Sequence, residues 1–253
     1  MTTQELLDEL RGAILRDTST QIGGPQDSFW VDAQLLRYIN EAQARIATMG
    51  LVLHDSVTAS VTEVSMVNGV AQYTLHPAII AVVSARYGSD TFDMIRTGHS
   101  GLFAYSSPST AYFDPATLAA LQPGKPLAWS TDEQLDSKSG ISGVVSLRVY
   151  PTPSADYTGQ IKLRTIRLPL KELSLEEPDR SPEIPAQYHL SMLDWAAYRA
   201  LRNIDSDVGD MAKADKFRVT FDETIALARR DTLRKLFVPV RHSFGQAGWA
   251  WER

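Results

Sequence analysis

The hydrophobic period of this chain changes twice, and few architectures accommodate both changes. Over Trp30–Gly50, Val31, Leu35, Tyr38, Ile39, Ala42, Ile46 and Met49 recur at three- and four-residue steps, the pattern of one helical face. Past His54 the step falls to two: Val57, Ala59 and Val61 alternate with Thr58, Ser60 and Thr62. From Pro185 the helical step returns, with Tyr188, Met192, Trp195, Ala196 and Ala200 on one face, widened by Leu193, Ala197, Leu201 and Ile204. A long helix to about Phe237 follows, marked by Met211, Ala214, Phe217, Phe221, Ile225 and Ala228. Helices at both ends of a chain can pack on each other only if the segment between them leaves and comes back. The expected class is therefore α+β: an antiparallel helical bundle of about four helices with an inserted antiparallel β-domain and an extended C-terminal tail. The expected boundaries are 1–54 and 171–238 for the bundle, 55–170 for the insertion and 239–253 for the tail.

Local signals refine this outline. Leu6, Leu7, Leu10, Ile14 and Leu15 predict a first helix over Thr3–Asp17, and TSTQIGGPQDS reads as a loop. Gly50 is the expected stop of the second helix. Asn68-Gly69 between SVTEVSMV and VAQYTL predicts a hairpin. AIIAVVSARYG, VVSLRVYP and QIKLRTIRLPL read as strands, the last with a bulge near Thr165 where the buried phase slips. Pro185 suits the first position of a helix, and Ser206 or Asp207 is a ready cap for the long one. Arg229, Arg230, Arg234 and Lys235 crowd its last turns, where the helix dipole favours cations, and Pro239 ends it. Leu102–Leu127 is expected to hold short helical turns and loops.

A search for chemistry returns little. With no cysteine, thiol nucleophiles, disulfides and Cys-zinc sites are excluded. Gly98-His99-Ser100-Gly101 has Leu102 where a nucleophile elbow needs its last glycine. A serine hydrolase built on Ser100 with His99 or His189 is kept as an alternative. Asp205, Asp207 and Asp210 miss the calcium-loop spacing, since Asp210 and Lys216 stand where Gly and Glu are required; helix capping is the expected role. Glu176, Glu177, Asp179 and Glu183 lie among prolines and read as an exposed loop rather than acid–base partners. His54, His76, His99, His189 and His242 show no metal-binding spacing, and Gly124-Lys125 lacks the rest of a phosphate loop. No catalytic residue, cofactor or metal is expected. No apolar run spans a membrane and no signal peptide opens the chain, so no membrane partner is expected. A net charge of −5 argues against bulk coating of nucleic acid.

The closing stretch HSFGQAGWAWER places Phe244, Trp249 and Trp251 among small residues. Burying three such rings is worth roughly 15 kcal/mol at about 25 cal/mol per Å². Ordering a dozen residues costs about 1–2 kcal/mol each, so the two nearly cancel. Such a tail orders best against a preformed groove, expected on another chain, with folding back onto its own bundle as the alternative. Trp249 and Trp251 share one face of an extended strand, which suits strand addition or two pockets. His242, Phe244, Trp249, Trp251 and Arg253 are the expected partner-binding residues.

FWVDAQLLRYINEAQARIA, followed by DSVTASVT and the hairpin signal, resembles the opening of phage head-to-tail adaptor proteins of the short-tailed type. IPAQYHLSMLDWAAYRALRNIDSDVGDMAKADKFRVTF resembles their third and fourth helices, and the likeness runs from Gln4 to about Phe237. It implies a virion neck protein, assembled in the host cytoplasm, whose copies form a homo-oligomeric ring, a dodecamer, beneath the portal. The ring joins portal protein to tail or nozzle protein and passes genomic DNA without specific binding; the closing tail grips the portal. Another neck or tail component of the virion is the nearest alternative. Two departures stand out: Val31 takes the place of a small capping residue, and DPATLAALQPGKPLAWSTDEQLDSKSG is long enough to be a surface elaboration.

Overall fold

A computed structural model describes residues 1–16, 30–88, 90–96, 122–136, 141–202 and 210–236. The chain is α+β. Helix α1 (Thr3–Glu9) opens on a reciprocal cap in which Thr2 Oγ1 accepts from Glu5 N and Thr2 N donates to the Glu5 carboxylate. It continues as a π-helical turn over Leu10–Leu15 and ends at Arg16 in the left-handed region. Helix α2 spans Asp32–Gly50. The extended Val31 precedes it and makes no side-chain cap, consistent with its unusual place there. The Arg11 guanidinium holds this entry, donating to Asp32 Oδ1 and the Trp30 carbonyl. Near the C-terminus, α4 (His189–Leu201) and α5 (Met211–Leu236) pack on each other and on α2.

The expected stripes are buried except at their ends. Leu35, Ile39, Ala42, Ile46, Met192, Leu193, Phe221 and Ala228 are all below 2% exposed, whereas Val31, Met49 and Met211 face solvent at 64%, 47% and 50%. Helix α2 does end at Gly50, and the left-handed residue that closes it is Leu51. A Cβ at Gly50 would crowd Val52 Cγ1 at 3.3 Å and reach ordinary contact with Ala228 Cβ at 3.4 Å. Pro185 precedes a 3₁₀ turn (Ala186–Tyr188) instead of opening α4 directly. The cap of α5 comes from Asp210, whose Oδ1 accepts from Lys213 N. Ile204, Ser206 and Asp207 lie outside the described residues, as do the loop TSTQIGGPQDS and Leu102–Leu121.

Two four-stranded sheets occupy the middle of the chain. In the first, β8 (Gln160–Arg167) is central, pairing antiparallel with β4 (Ile79–Tyr87), β1 (His54–Asp55) and β2 (Glu63–Ser65). The second runs β3 (Gln72–Thr74), β7 (Ile141–Tyr150), β6 (Ala128–Asp136), β5 (Ile95–Arg96). Its β5–β6 pair is parallel, so the sheet is mixed and not wholly antiparallel as expected.

Three local features differ from the sequence expectation. The alternation over Val57–Thr62 does not form a strand. Asp55 Oδ1 accepts from Val57 N and Thr58 N, and this side-chain turn starts the short helix α3 (Ala59–Thr62). Asn68-Gly69 does turn, with Gly69 at φ +76°, but β2 and β3 do not pair. Gly69 N donates to the Pro153 carbonyl, Tyr73 Oη is held by Val67 and Val70, and the chain crosses from one sheet to the other. The irregularity opposite Thr165 exists, but the extra residues belong to β4, between Ile79 and Ala81 and between Val82 and Ser84.

The side chains divide between two main buried clusters. One gathers residues from Leu6 to Leu53 and from Leu173 to Ile225. The other gathers Val61 to Leu163 and lies between the sheets, with Trp129, Leu147 and Ile161 at its centre. Part of the expected surface elaboration is strand: AWSTDEQLD is β6, and Ala128, Trp129 and Ser130 on it are buried, whereas Leu127 just before it is exposed.

Candidate functional site

Two polar constellations stand out. The first joins the two passages of the chain between the helices and the sheets. Asp55 follows α2, Arg167 ends β8 and Glu183 precedes α4. Arg167 Nε donates to Asp55 Oδ2 at 2.6 Å and its Nη1 donates to Glu183 Oε2 at 2.6 Å. Glu183 Oε1 also accepts from the N–H groups of Leu170 and Lys171. Burial opposes charge on both acids. At Asp55 the N–H groups of Thr58 and Val57 and the Arg167 guanidinium outweigh it and hold the carboxyl well below the usual range. At Glu183 the Arg167 guanidinium and the Leu170 N–H do the same. This is a structural clamp: every acceptor is occupied.

The second lies on the outer face of α2 and α4. Tyr38, Arg45, Trp195, Tyr198, Arg199 and Arg202 line a surface pocket of about 420 Å³. Arg45 lies 3.9 Å over Trp195, Arg199 lies 5.2 Å over Tyr38 and Arg202 lies 5.7 Å over Tyr198. Stacking fixes each guanidinium plane while its N–H edge can still donate. One carboxylate, Glu41, serves both Arg45 at 3.4 Å and Arg199 at 2.8 Å. The Trp195 indole N–H is buried with no acceptor among the described residues. Aromatic rings and arginines in a shallow pocket are the composition of a protein-binding surface.

A scan of family models matches residues 1–243 to the SU10 adaptor protein family. The chain belongs to that family. It is a phage head-to-tail adaptor, a structural component of the virion. A search of curated proteins gave no match.

The adaptor's expected partner-binding residues His242, Phe244, Trp249, Trp251 and Arg253 lie outside the described residues, as do His99 and Ser100 of the hydrolase alternative. His189, the other base considered for that alternative, has both ring nitrogens engaged, Nε2 with the Ile184 carbonyl and Nδ1 with the Met1 amine. Burial, above all, lowers its pKa. Of the acidic stretch, Glu183 is drawn into the clamp while Glu176, Glu177 and Asp179 are exposed. At the end of α5, Arg230 and Arg234 are exposed and only loosely approached by Asp231, at 4.0 and 3.9 Å. Among the described residues no helix of the adaptor is long and apolar enough to cross a membrane.

The Arg and aromatic pocket of the adaptor was missed in the sequence although its signal is there. Trp195, Tyr198, Arg199 and Arg202 are spaced three and four apart on α4, and Tyr38 and Arg45 are two turns apart on α2. Reading the stripe for its apolar members alone hides the arginines beside it.

Asp194, on the same helix, has no ion pair among the described residues, and burial pushes its pKa up to about 6. The folded adaptor therefore binds more protons than the unfolded chain between about pH 4 and 6, and this group's contribution to stability falls as pH rises through that window. Asp194→Asn is expected to stabilise the protein by about 1–2 kcal/mol at pH 8. The gain should vanish near pH 4, measured by urea denaturation at both values. An equal gain at both pH values would contradict the assignment.

Proposed function

We propose that this adaptor assembles as a homo-oligomeric ring, a dodecamer, beneath the portal, joins the capsid to the tail, and lets the genome pass. The observation that carries the reading is the extent of the family match. It runs through the helices and both sheets and stops at residue 243, where the aromatic ending begins. The helices (1–54 and 171–238), packed as an antiparallel bundle, form the ring wall and portal-facing surface. The β-domain (55–170) projects toward the tail or nozzle protein or braces the ring outside. The segment 239–253 docks on a portal subunit or a neighbouring adaptor through His242, Phe244, Trp249, Trp251 and Arg253. A net charge of −5 suits a conduit that does not hold phosphates. Ring symmetry repeats each weak grip, so avidity replaces single-site affinity. Assembly would take place in the host cytoplasm.

Co-sedimentation with the portal protein tests this directly. The full chain is expected to bind, and a chain truncated after Pro239 to lose at least tenfold in affinity. Equal binding by both forms would remove the docking role from the tail. Absence of binding by either would move the protein to another level of the neck or tail.

A further inference from the structure

The Arg and aromatic pocket carries more cation than its own protomer neutralises. Arg45, Arg199 and Arg202 face a single carboxylate, Glu41, and among the described residues no acid pairs with Arg202. Its ligand must bring negative charge, and in forms that match planar guanidinium edges.

The same chain presents such a group. The loop after β8 exposes Glu172, Glu176, Glu177 and Asp179, of which only Glu177 has an ion pair among the described residues, with Arg180. This loop is rigidly seated. The Asn40 side-chain amide bonds both the N–H and the carbonyl of Leu173, at 2.9 Å each. Farther along, the carbonyls of Pro178 and Arg180 accept from Gln4 N and Thr3 N. A preformed acidic projection has little ordering entropy left to lose on docking.

Pocket and loop lie on different faces of α2, on either side of Glu41. Tyr38 and Arg45 point to one side of α2, whereas Ala33, Arg37, Asn40 and Ala44, beside the acidic loop, point roughly 120° away. Two different, complementary surfaces facing different ways on one body produce a head-to-tail contact, the kind that closes a ring. A passing DNA duplex fits the pocket poorly. Phosphate tracking calls for a stripe of cations, and here the arginines are gathered around one small concavity, held on aromatic rings.

We propose that the pocket formed by Tyr38, Arg45, Trp195, Tyr198, Arg199 and Arg202 receives the acidic loop Glu172–Asp179 of the next copy. This rests on the ring reading and names its contact.

Charge exchange tests it with the full chain, assembled in the presence of portal protein and read by cross-linking and sedimentation. One variant carries Arg199→Glu and Arg202→Glu, the other Glu176→Lys and Asp179→Lys; circular dichroism checks that both remain folded. Each alone is expected to reduce ring yield at least tenfold. Their equimolar mixture is expected to recover at least half the wild-type yield, because alternating copies restore every contact. Unimpaired assembly by either variant, or loss by both without rescue in the mixture, would overturn the pairing while leaving the ring intact as a reading. Failure of the wild-type chain to form any oligomer with portal would remove the ring and the pairing together. Loss of duplex DNA retention with assembly unchanged would assign the arginines to the genome instead.

Discussion

Arg167→Ala is expected to destabilise the protein by about 3 kcal/mol at pH 7, lowering its melting temperature by roughly 6–12 °C. The side chain is 13% exposed and bridges Asp55 and Glu183, which are 6% and 21% exposed. Its removal strands two carboxylates in a place that disfavours charge. Both acids have folded pKa values below their ordinary range. Their stabilisation is therefore complete above the unfolded carboxylate pKa, near pH 4, and is lost as pH falls through the lower folded values. The deficit of Arg167→Ala should be largest at neutral pH and shrink below about pH 4. The triple variant Arg167→Met with Asp55→Asn and Glu183→Gln should recover most of the loss. It leaves no unpaired charge, and the new amide at position 55 would keep an oxygen for the Val57 and Thr58 N–H groups. Denaturation curves at pH 7 and pH 3 decide the matter. A deficit independent of pH would mean that lost packing of the arginine stem, and not the charges, accounts for it.

Trp129→Ala is expected to cost about 3–5 kcal/mol, the range for emptying a large aromatic site that cannot collapse. The ring is 1% exposed between the sheets and its Nε1 donates to the Met94 carbonyl at 3.2 Å. Because Trp129 belongs to the cluster between the sheets and the helical cluster has no member in common with it, the damage should be local. Hydrogen exchange should accelerate across β3, β4, β6, β7 and β8 while α2, α4 and α5 keep their protection. Uniform loss would show that the two clusters unfold as one cooperative unit, which would count against the proposed division into a bundle and an inserted β-domain.

The main helices were legible because each buries a stripe, and periodicity summed over several turns outweighs any single residue. Their ends were less so. Val31, Met49 and Met211 continue the period beyond the neighbouring elements that would cover them. Gly50 shows a second limit: a glycine at a helix end reads as the left-handed residue, yet here the helix ends with it and Leu51 takes that conformation. In the β-region the signals were local and the outcome was not. Asn68-Gly69 specifies a turn, but which strands pair on either side depends on β7 and β8, far downstream in the chain. AWSTDEQLD lacks a clean alternation, and at its start Ala128, Trp129 and Ser130 are buried in succession. For the candidate site, the tail's aromatic content was visible as sequence, whereas the pocket on α2 and α4 needed two helices to be brought side by side.

What the sequence by itself determined is the class of the molecule: helices at both ends, strands between, and a family match over residues 1–243. These follow from periodicity and composition, which act along the chain. The tertiary structure alone decided how the middle crosses between two sheets, that Arg167 clamps Asp55 to Glu183, and that three arginines stack on three aromatic rings in one pocket. Those are contacts between residues distant in the chain, 158 positions apart in the case of Glu41 and Arg199, and no local pattern records them. Packing, burial and the hydrogen bonds it enforces select them only once the chain is folded.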